Sequence, residues 1–257
     1  MHKLAYNKPV AVIPVWNARL EKRNTMGPLP EEISLESVPL FAGLDARQRT
    51  WLRARLHQRF YPAGTEVMLV GTPGELVYII MTGTVKVFAP QPDGTDVIVA
   101  ILGLGDPVGE MSLVEQAGHS ASVITLEDSN LLWISRSDFQ DAMNNMPKLS
   151  QNLLRILSAR LRYSTSHIQA LAALDVSRRV IRQILAFGER YGQKAANGDI
   201  HIPIRLTQND ISELVGASRK RVNQVMVALK QHGWISINPA FHITIHNQKA
   251  LLASLNS

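Results

Sequence analysis

The chain is predicted to be an α+β protein. An antiparallel, glycine-punctuated β sandwich or barrel comes first, then one long helix, then a helix-turn-helix with a terminal hairpin. Three observations predict this. Nine of the 16 glycines lie between Gly64 and Gly118, and they separate short apolar or alternating runs at about ten-residue spacing. The stretch Lys148–Leu174 then contains no glycine or proline. Finally, of 27 basic and 21 acidic side chains, the segment from Val176 onward holds 11 and 4, so the positive excess sits wholly in the last third. Such asymmetry points to a nucleic acid or another anionic partner for that third.

Composition bounds the reading further. At 257 residues, and ~150 residues per domain, roughly two domains are expected. Hydrophobic residues make up 46% and the mean hydropathy is −0.01, which excludes disorder of the chain as a whole. No apolar run approaches the ~18 residues of a membrane span. Cysteine is absent, which excludes disulfides, thiolate nucleophiles and cysteine-ligated clusters and fits a cytoplasmic setting. Residues 1–35 read as an extension, not a signal peptide. Its Val10–Trp16 run is apolar, with Pro14 inside, and leans toward docking, but no small-residue cleavage site follows.

The elements follow in order. Pro39–Arg59 reads as one or two short helices, with Leu44, Trp51, Leu52 and Leu56 as apolar positions. Strands are expected at Thr65–Val70, Leu76–Met81, Thr84–Phe88, Asp96–Ile101, Ser122–Ile124 and Asn130–Ile134. Asp93-Gly94 marks a hairpin, because glycine tolerates positive φ. In the long helix, Leu154, Leu157, Leu161, Ser164, Ile168 and Leu171 are spaced 3, 4, 3, 4, 3. That is a heptad seam, and a narrow stripe on a 3.5-residue period pairs with a copy of itself; the alternative is packing on its own domain. Ser164 is the one polar break in the seam, with Thr165 beside it. A helix over Val180–Tyr191 ends at Gly192, a short strand covers Gly198–Pro203, and Thr207 with Asp210 makes a weak capping box for a second helix. Gly216 turns the chain, Ser218 caps a third helix over Arg219–His232, and Trp234–Ile237 with His242–Ile245 forms the hairpin. The boundaries that result are 1–35 for the extension, 36–145 for the β domain, 146–174 for the long helix with its heptad seam and 175–257 for the basic C-terminal domain.

The segment TQNDISELVGASRKRVNQVMVALKQHG has helix-turn-helix anatomy. Ile211, Leu214 and Val215 bury the first helix, and Val222, Val225, Met226 and Leu229 the second. Ser218, Arg219, Lys220, Arg221, Asn223 and Gln224 remain at the end that enters a major groove. Arginine reads guanine, asparagine and glutamine read adenine, and lysine and serine hold phosphates. Basic residues at a helix start oppose the helix dipole, so a solvated face explains them poorly. Thr207, Asn209, Ser218, Arg219, Lys220, Arg221 and Gln224 are the candidate DNA-binding residues.

Here the chain resembles the CRP/FNR superfamily of bacterial transcription regulators over about Leu35–Ile245. The resemblance rests on LGLGDPVGEMSLVEQAGHSA, on the long helix ending LAALDV, and on VGASRKRVNQVM. It implies a cyclic-nucleotide-binding β-roll (a double-stranded β-helix), a central dimerisation helix and a C-terminal winged helix-turn-helix. The family's reading positions fall on Arg219, Lys220 and Gln224. Well-known members carry an acidic residue where this chain has Lys220, and lysine cannot accept from cytosine N4, so the half-site is expected to differ from TGTGA. In cAMP-binding members a Gly-Glu pair opens a phosphate cassette and an Arg-Ser pair closes it. Gly109, Glu110 and Ser120 match, but His119 stands at the arginine position, and a neutral imidazole makes no bidentate contact with a phosphate. Ser164 and Thr165 fall where the family's helix meets the nucleobase, and Arg160 and Arg162 are candidates for the missing charge, with surface snorkelling as the alternative. The candidate effector residues are therefore Gly109, Glu110, Met111, Ser112, His119, Ser120, Ala121, Arg160, Ser164 and Thr165. The candidate dimer residues are Leu154, Leu157, Leu161, Ile168 and Leu171.

The expected protein is a homodimeric regulator on a pseudo-palindromic operator of double-stranded DNA, with RNA polymerase as a further partner and no membrane association. Its effector would be a cyclic mono- or dinucleotide, with cAMP disfavoured by His119. The alternative is a degenerate pocket in an effector-independent or partner-controlled regulator, or a sensor acting on another regulator. An oxygen-labile iron–sulfur cluster is excluded by the missing thiolates, and His2, His57, His119 and His167 lack ligand-like spacing for haem. Catalysis is not expected, because no nucleophile–base constellation, paired metal ligands or P-loop is present.

Overall fold

The computed structural model describes residues 34–91, 96–115 and 117–256. Residues 1–33, including the Val10–Trp16 run, and the Asp93-Gly94 turn lie outside them. Leu35, Val38, Leu40 and Phe41 are buried together in and between two 3₁₀ turns, Leu35–Ser37 and Pro39–Phe41. Helix α1 (Ala46–Arg53) starts at Asp45, whose carboxylate accepts from Gln48 N while Gln48 Oε1 accepts from Asp45 N.

Eight strands build the β domain: β1 (His57–Tyr61), β2 (Glu66–Met68), β3 (Leu76–Thr82), β4 (Val85–Pro90), β5 (Asp96–Leu102), β6 (Pro107–Val108), β7 (Ser122–Thr125) and β8 (Ser129–Ser135). They form two antiparallel sheets, ordered β1-β8-β3-β6 and β2-β7-β4-β5. Strand alternation decides what each face covers. Tyr78 and Ile80 of β3 and Leu131 of β8 point between the sheets, onto Tyr61, Met68, Val85, Leu102, Val108 and Val123. Val77, Ile79, Leu132 and Ile134 point the other way, under the N-terminal helices, Phe139 and Leu149. Four strands and α-helices of this half are absent from the sequence expectation. Two are β1, inside the stretch read as helix, and the two-residue β6. The others are helix α2 (Glu110–Glu115) and helix α3 (Arg136–Asn145), capped by Ser135.

Helix α4 (Pro147–Ala173) is the long helix, with proline at its first position, where the missing N–H is an orphan in any case. The seam is only partly a free stripe. Leu154, Leu161, Ile168 and Leu171 are exposed, but Leu157 is half-buried against the β-domain core.

The C-terminal half comprises α5 (Val176–Tyr191), β9 (Gln193–Lys194), β10 (Ile200–Ile202), α6 (Gln208–Leu214), α7 (Arg219–Gln231), β11 (Ile235–Ile237), β12 (Ile243–Ile245) and α8 (Gln248–Asn256). The expected hairpin is there, inside a four-stranded sheet ordered β11-β12-β10-β9. Gly216 has φ +58, a conformation that turns the chain between α6 and α7 without a Cβ clash.

The two halves share a core. Opposite the β4 step Val87–Phe88, β5 carries an extra residue, Val99. A bulge of this kind re-aims side chains. Ile98 and Ile101 both face the C-terminal half and pack in one cluster with Ile204, Leu206, Ile211 and Leu214, while Leu102 stays inside the β domain. Polar contacts border this seam. Arg205 N donates to Thr84 Oγ1 at 3.1 Å, Lys86 Nζ lies 4.0 Å from Glu213, and His242 Nε2 lies 3.5 Å from Glu127.

Candidate functional site

A cleft of about 220 Å³ opens between the β domain and α4. Met68, Val87, Leu102, Val108 and Val123 form its apolar wall. Gly109 (φ +88) makes the turn from β6 into α2, and a Cβ there would come within 2.6 Å of Met68 Cε and 2.7 Å of the Leu76 carbonyl. The close turn sets Glu110 inside the cleft at 2% exposure. Its carboxylate takes a 2.7 Å bond from Arg160 Nη1. Burial raises Glu110 above the ordinary carboxylate range, and Arg160 opposes that shift.

Arg160 also donates from Nη2 to the Pro107 carbonyl at 2.5 Å and lies 3.8 Å from Asp106. Asp106, 7% exposed, is the hub of the site. Its Oδ1 accepts from Arg190 Nη2 at 2.5 Å, and its Oδ2 accepts from Tyr191 hydroxyl at 2.5 Å and Gly103 N at 3.1 Å. Burial, and then the Asp106 charge, push the Tyr191 hydroxyl well above the ordinary phenol value, so it stays protonated and donates. Arg190 itself lines the cleft, although it belongs to α5 in the C-terminal half.

His119 is tied to the cassette. Ser112 Oγ donates to the Gly109 carbonyl at 2.8 Å and sits 3.1 Å from His119 Nδ1. Burial lowers the ring's pKa below 6.5, so it is neutral at pH 7.

The cleft brings together Gly109, Glu110, Met111, Ser112, His119, Ser120, Ala121, Arg160 and Ser164. It does not include Thr165, which is exposed and bonds back to the Leu161 carbonyl at 3.0 Å. The helical period turns that side chain away from the cleft. Arg162 is outside too, on Ser158 at the surface. Sequence reasoning missed Asp106, Tyr163, Arg190 and Tyr191. The Gly105-Asp106-Pro107 turn marks a loop, but no spacing links it to residues 84 and 85 positions further on.

In the helix-turn-helix, Thr207 and Asp210 form the full capping box, and Ser218 Oγ accepts from Arg221 N as the cap of α7. Both hydroxyls are thus engaged by backbone. Asn209 donates to Glu213 at 2.5 Å, and Arg221 reaches Gln224 at 3.2 Å. Val222, Val225, Met226 and Leu229 are buried, and Arg219, Lys220, Arg221, Asn223 and Gln224 are exposed. Among the described residues Arg219 and Lys220 have no ion pair, so both cations are free for an anionic partner.

A cleft in an antiparallel β domain, joined by a long helix to a helix-turn-helix with an exposed basic end, defines a class: a DNA-binding transcription regulator. Comparison with known proteins agrees. A cyclic nucleotide-binding domain model matches residues 58–146, and a Crp-like helix-turn-helix domain model matches residues 178–254. The CRP-like cAMP-activated global transcriptional regulator of Mycobacterium tuberculosis is 31% identical over 198 residues, 77% of this chain and 88% of the relative. The cyclic AMP receptor protein of Thermus thermophilus is 27% identical over 205 residues, 80% and 91% of the two chains. FixK2 from Bradyrhizobium japonicum shares the fold, with TM-score 0.67 at 22% identity over 77% of this chain and 96% of that one. The chain belongs to the CRP/FNR superfamily, whose members are transcription regulators and not enzymes.

Two outcomes are expected. Burial depresses both His119 and His167, so the unfolded state binds more protons below the ordinary value of 6.5 and stability present above it is lost as pH falls through the lowered folded values. Thermal melts from about pH 7 to about pH 5 should therefore show His119→Asn losing less Tm than the native chain, the raised Glu110 carboxyl, whose contribution has the opposite sign, being common to both. On a half-site selected from random DNA, and differing from TGTGA, Arg219→Ala should cost about 1–3 kcal/mol of binding measured by anisotropy. An unchanged affinity would remove Arg219 from the reading set.

Proposed function

We propose that the chain is a homodimeric, sequence-specific DNA-binding regulator, controlled by a cyclic mono- or dinucleotide in the cleft beside α4. The domains would divide as 36–145, 146–174 and 175–257. The observation that carries this reading is the chain of contacts Glu110–Arg160–Asp106–Arg190, which joins the cleft to the DNA-binding half. A nucleotide placing its ribose on Glu110 and its phosphate near Arg160 competes with the ion pairs already there. It then loosens Arg190 and Tyr191 from Asp106 and biases the orientation of α5. That is differential affinity for two arrangements, the requirement for allosteric control.

The exposed apolar row Leu154, Leu161, Ile168 and Leu171 supports dimerisation through α4. Two recognition helices would then meet half-sites one helical turn apart, with RNA polymerase as a further partner. Gly109, Glu110, Ser112, Ser120, Arg160 and Ser164 are the proposed effector contacts, and Arg219, Lys220, Arg221 and Gln224 the proposed DNA contacts.

One observation favours a second reading, partner control through a degenerate pocket: His119 is neutral and bonded to Ser112, and Arg160 is occupied by Glu110. Calorimetric titration with cAMP, cGMP and cyclic dinucleotides at fixed salt separates the two. The first reading predicts micromolar or tighter binding of one of them, lost in Ser164→Ala or Arg160→Ala, and tighter DNA binding in its presence. No binding to any would overturn effector control and leave partner control.

A further inference from the structure

A second, smaller cavity of about 30 Å³ lies between α4 and α5. It has room for about two waters or one tetrahedral oxyanion, and is far too small for a nucleoside. Ser166 and His167 of α4 and Arg179, Arg182 and Gln183 of α5 line it, and no carboxylate does. Tyr163 stands between this cavity and the effector cleft, lining both.

The polar groups here are unbalanced in one direction. Among the described residues neither Arg179 nor Arg182 has an ion pair; Arg182 meets only the Ser166 hydroxyl. The Arg179 Nε is buried without a partner. Gln183 is 4% exposed, with its Oε1 taken by the Tyr163 hydroxyl at 2.8 Å and its Nε2 buried without a partner. His167, its pKa lowered by burial and by the two arginines, is engaged with the Leu214 backbone. Two half-buried cations and two residues with an unmet buried donor thus line a cavity that no carboxylate of the chain lines. Buried donors and charges left in this way are costly. A water would satisfy the donors and leave the charges uncompensated; an oxyanion answers both.

We propose that this cavity is a binding site for a small tetrahedral oxyanion of the phosphate class, held by Arg179, Arg182 and the Gln183 amide. Its position gives it a consequence. The corner between α4 and α5 carries the whole C-terminal half, and the Leu214–Gly216 turn of the helix-turn-helix lies against it, with Arg179 Nη1 3.6 Å from where a Gly216 Cβ would sit. A bound anion fastens α4, α5 and that turn in one arrangement, stabilising it by mass action. The inference stands apart from the effector reading, since it uses none of the cassette residues.

The test is thermal unfolding and isothermal titration of the full chain with inorganic phosphate, against chloride at matched ionic strength. The expected result is a saturable rise in Tm specific to phosphate. Arg179→Gln and Arg182→Gln, shown folded by circular dichroism, should each weaken phosphate binding at least tenfold. Gln183→Glu, which supplies an internal anion, should raise Tm and abolish the response. A wild-type response no larger than chloride's overturns the proposal, as does one that persists in the arginine variants; the Gln183 amide then lies reversed, with its oxygen toward Arg179. Repeating the titration with duplex DNA separates the source of the anion. Phosphate that displaces DNA more than chloride does places a backbone phosphate in the site, and phosphate that leaves or raises DNA affinity places a free anion there.

Discussion

The arrangement of the two halves depends on one buried carboxylate. Asp106 sits in the turn between β5 and β6, largely out of water, where an ionised carboxylate is tolerated only with full pairing. It has that pairing from three directions: the Gly103 amide of its own turn, Arg190 and Tyr191 of α5, and Arg160 of α4 at longer range. The three directions belong to three different segments. The desolvation that makes an unpaired Asp106 costly therefore makes the relative position of the β domain, the long helix and the DNA-binding half one linked property. The apolar seam of Ile98 and Ile101 against Ile204 and Leu206 supplies adhesion; Asp106 supplies direction.

The same linkage explains why the departure at position 119 matters. A cassette arginine would bring its own charge to a phosphate. Here the ring is neutral and held by Ser112, so the cations near the cleft are Arg160 and Arg190, and both are in use by Glu110 and Asp106. Any anionic group that enters must rearrange these pairs. On the proposed reading, the switch and the clamp would then rest on the same two arginines.

What was legible in the sequence was whatever repeats or punctuates. Glycines and alternation marked most of the β strands, the 3, 4 spacing marked α4, and Thr207, Gly216 and Ser218 marked the helix-turn-helix almost to the residue. Elements without those signals were missed. The His57–Tyr61 strand is half-polar and half-buried, β6 is two residues long, and α8 follows the last recognisable motif. Leu157 looked equivalent to its seam neighbours, but contact with the β domain, which no heptad count reveals, covers it. At the site, Glu110, His119 and Ser164 line the cleft of this chain, and the Thr165 side chain lies one step round the helix from it. Asp106 with Arg190 was out of reach because pairing across 84 residues is a property of the packed seam and leaves no local pattern.

The most direct measurement is hydrogen exchange of ligand-free Asp106→Asn against the native chain. If Asp106 couples the cleft to the DNA-binding half, amides of β5, α5 and α6 along the seam lose protection together, while those of β3, β8 and α7 keep theirs. Unchanged protection at the seam, in a variant that folds, would contradict the coupling and leave the two halves held by their apolar contact alone.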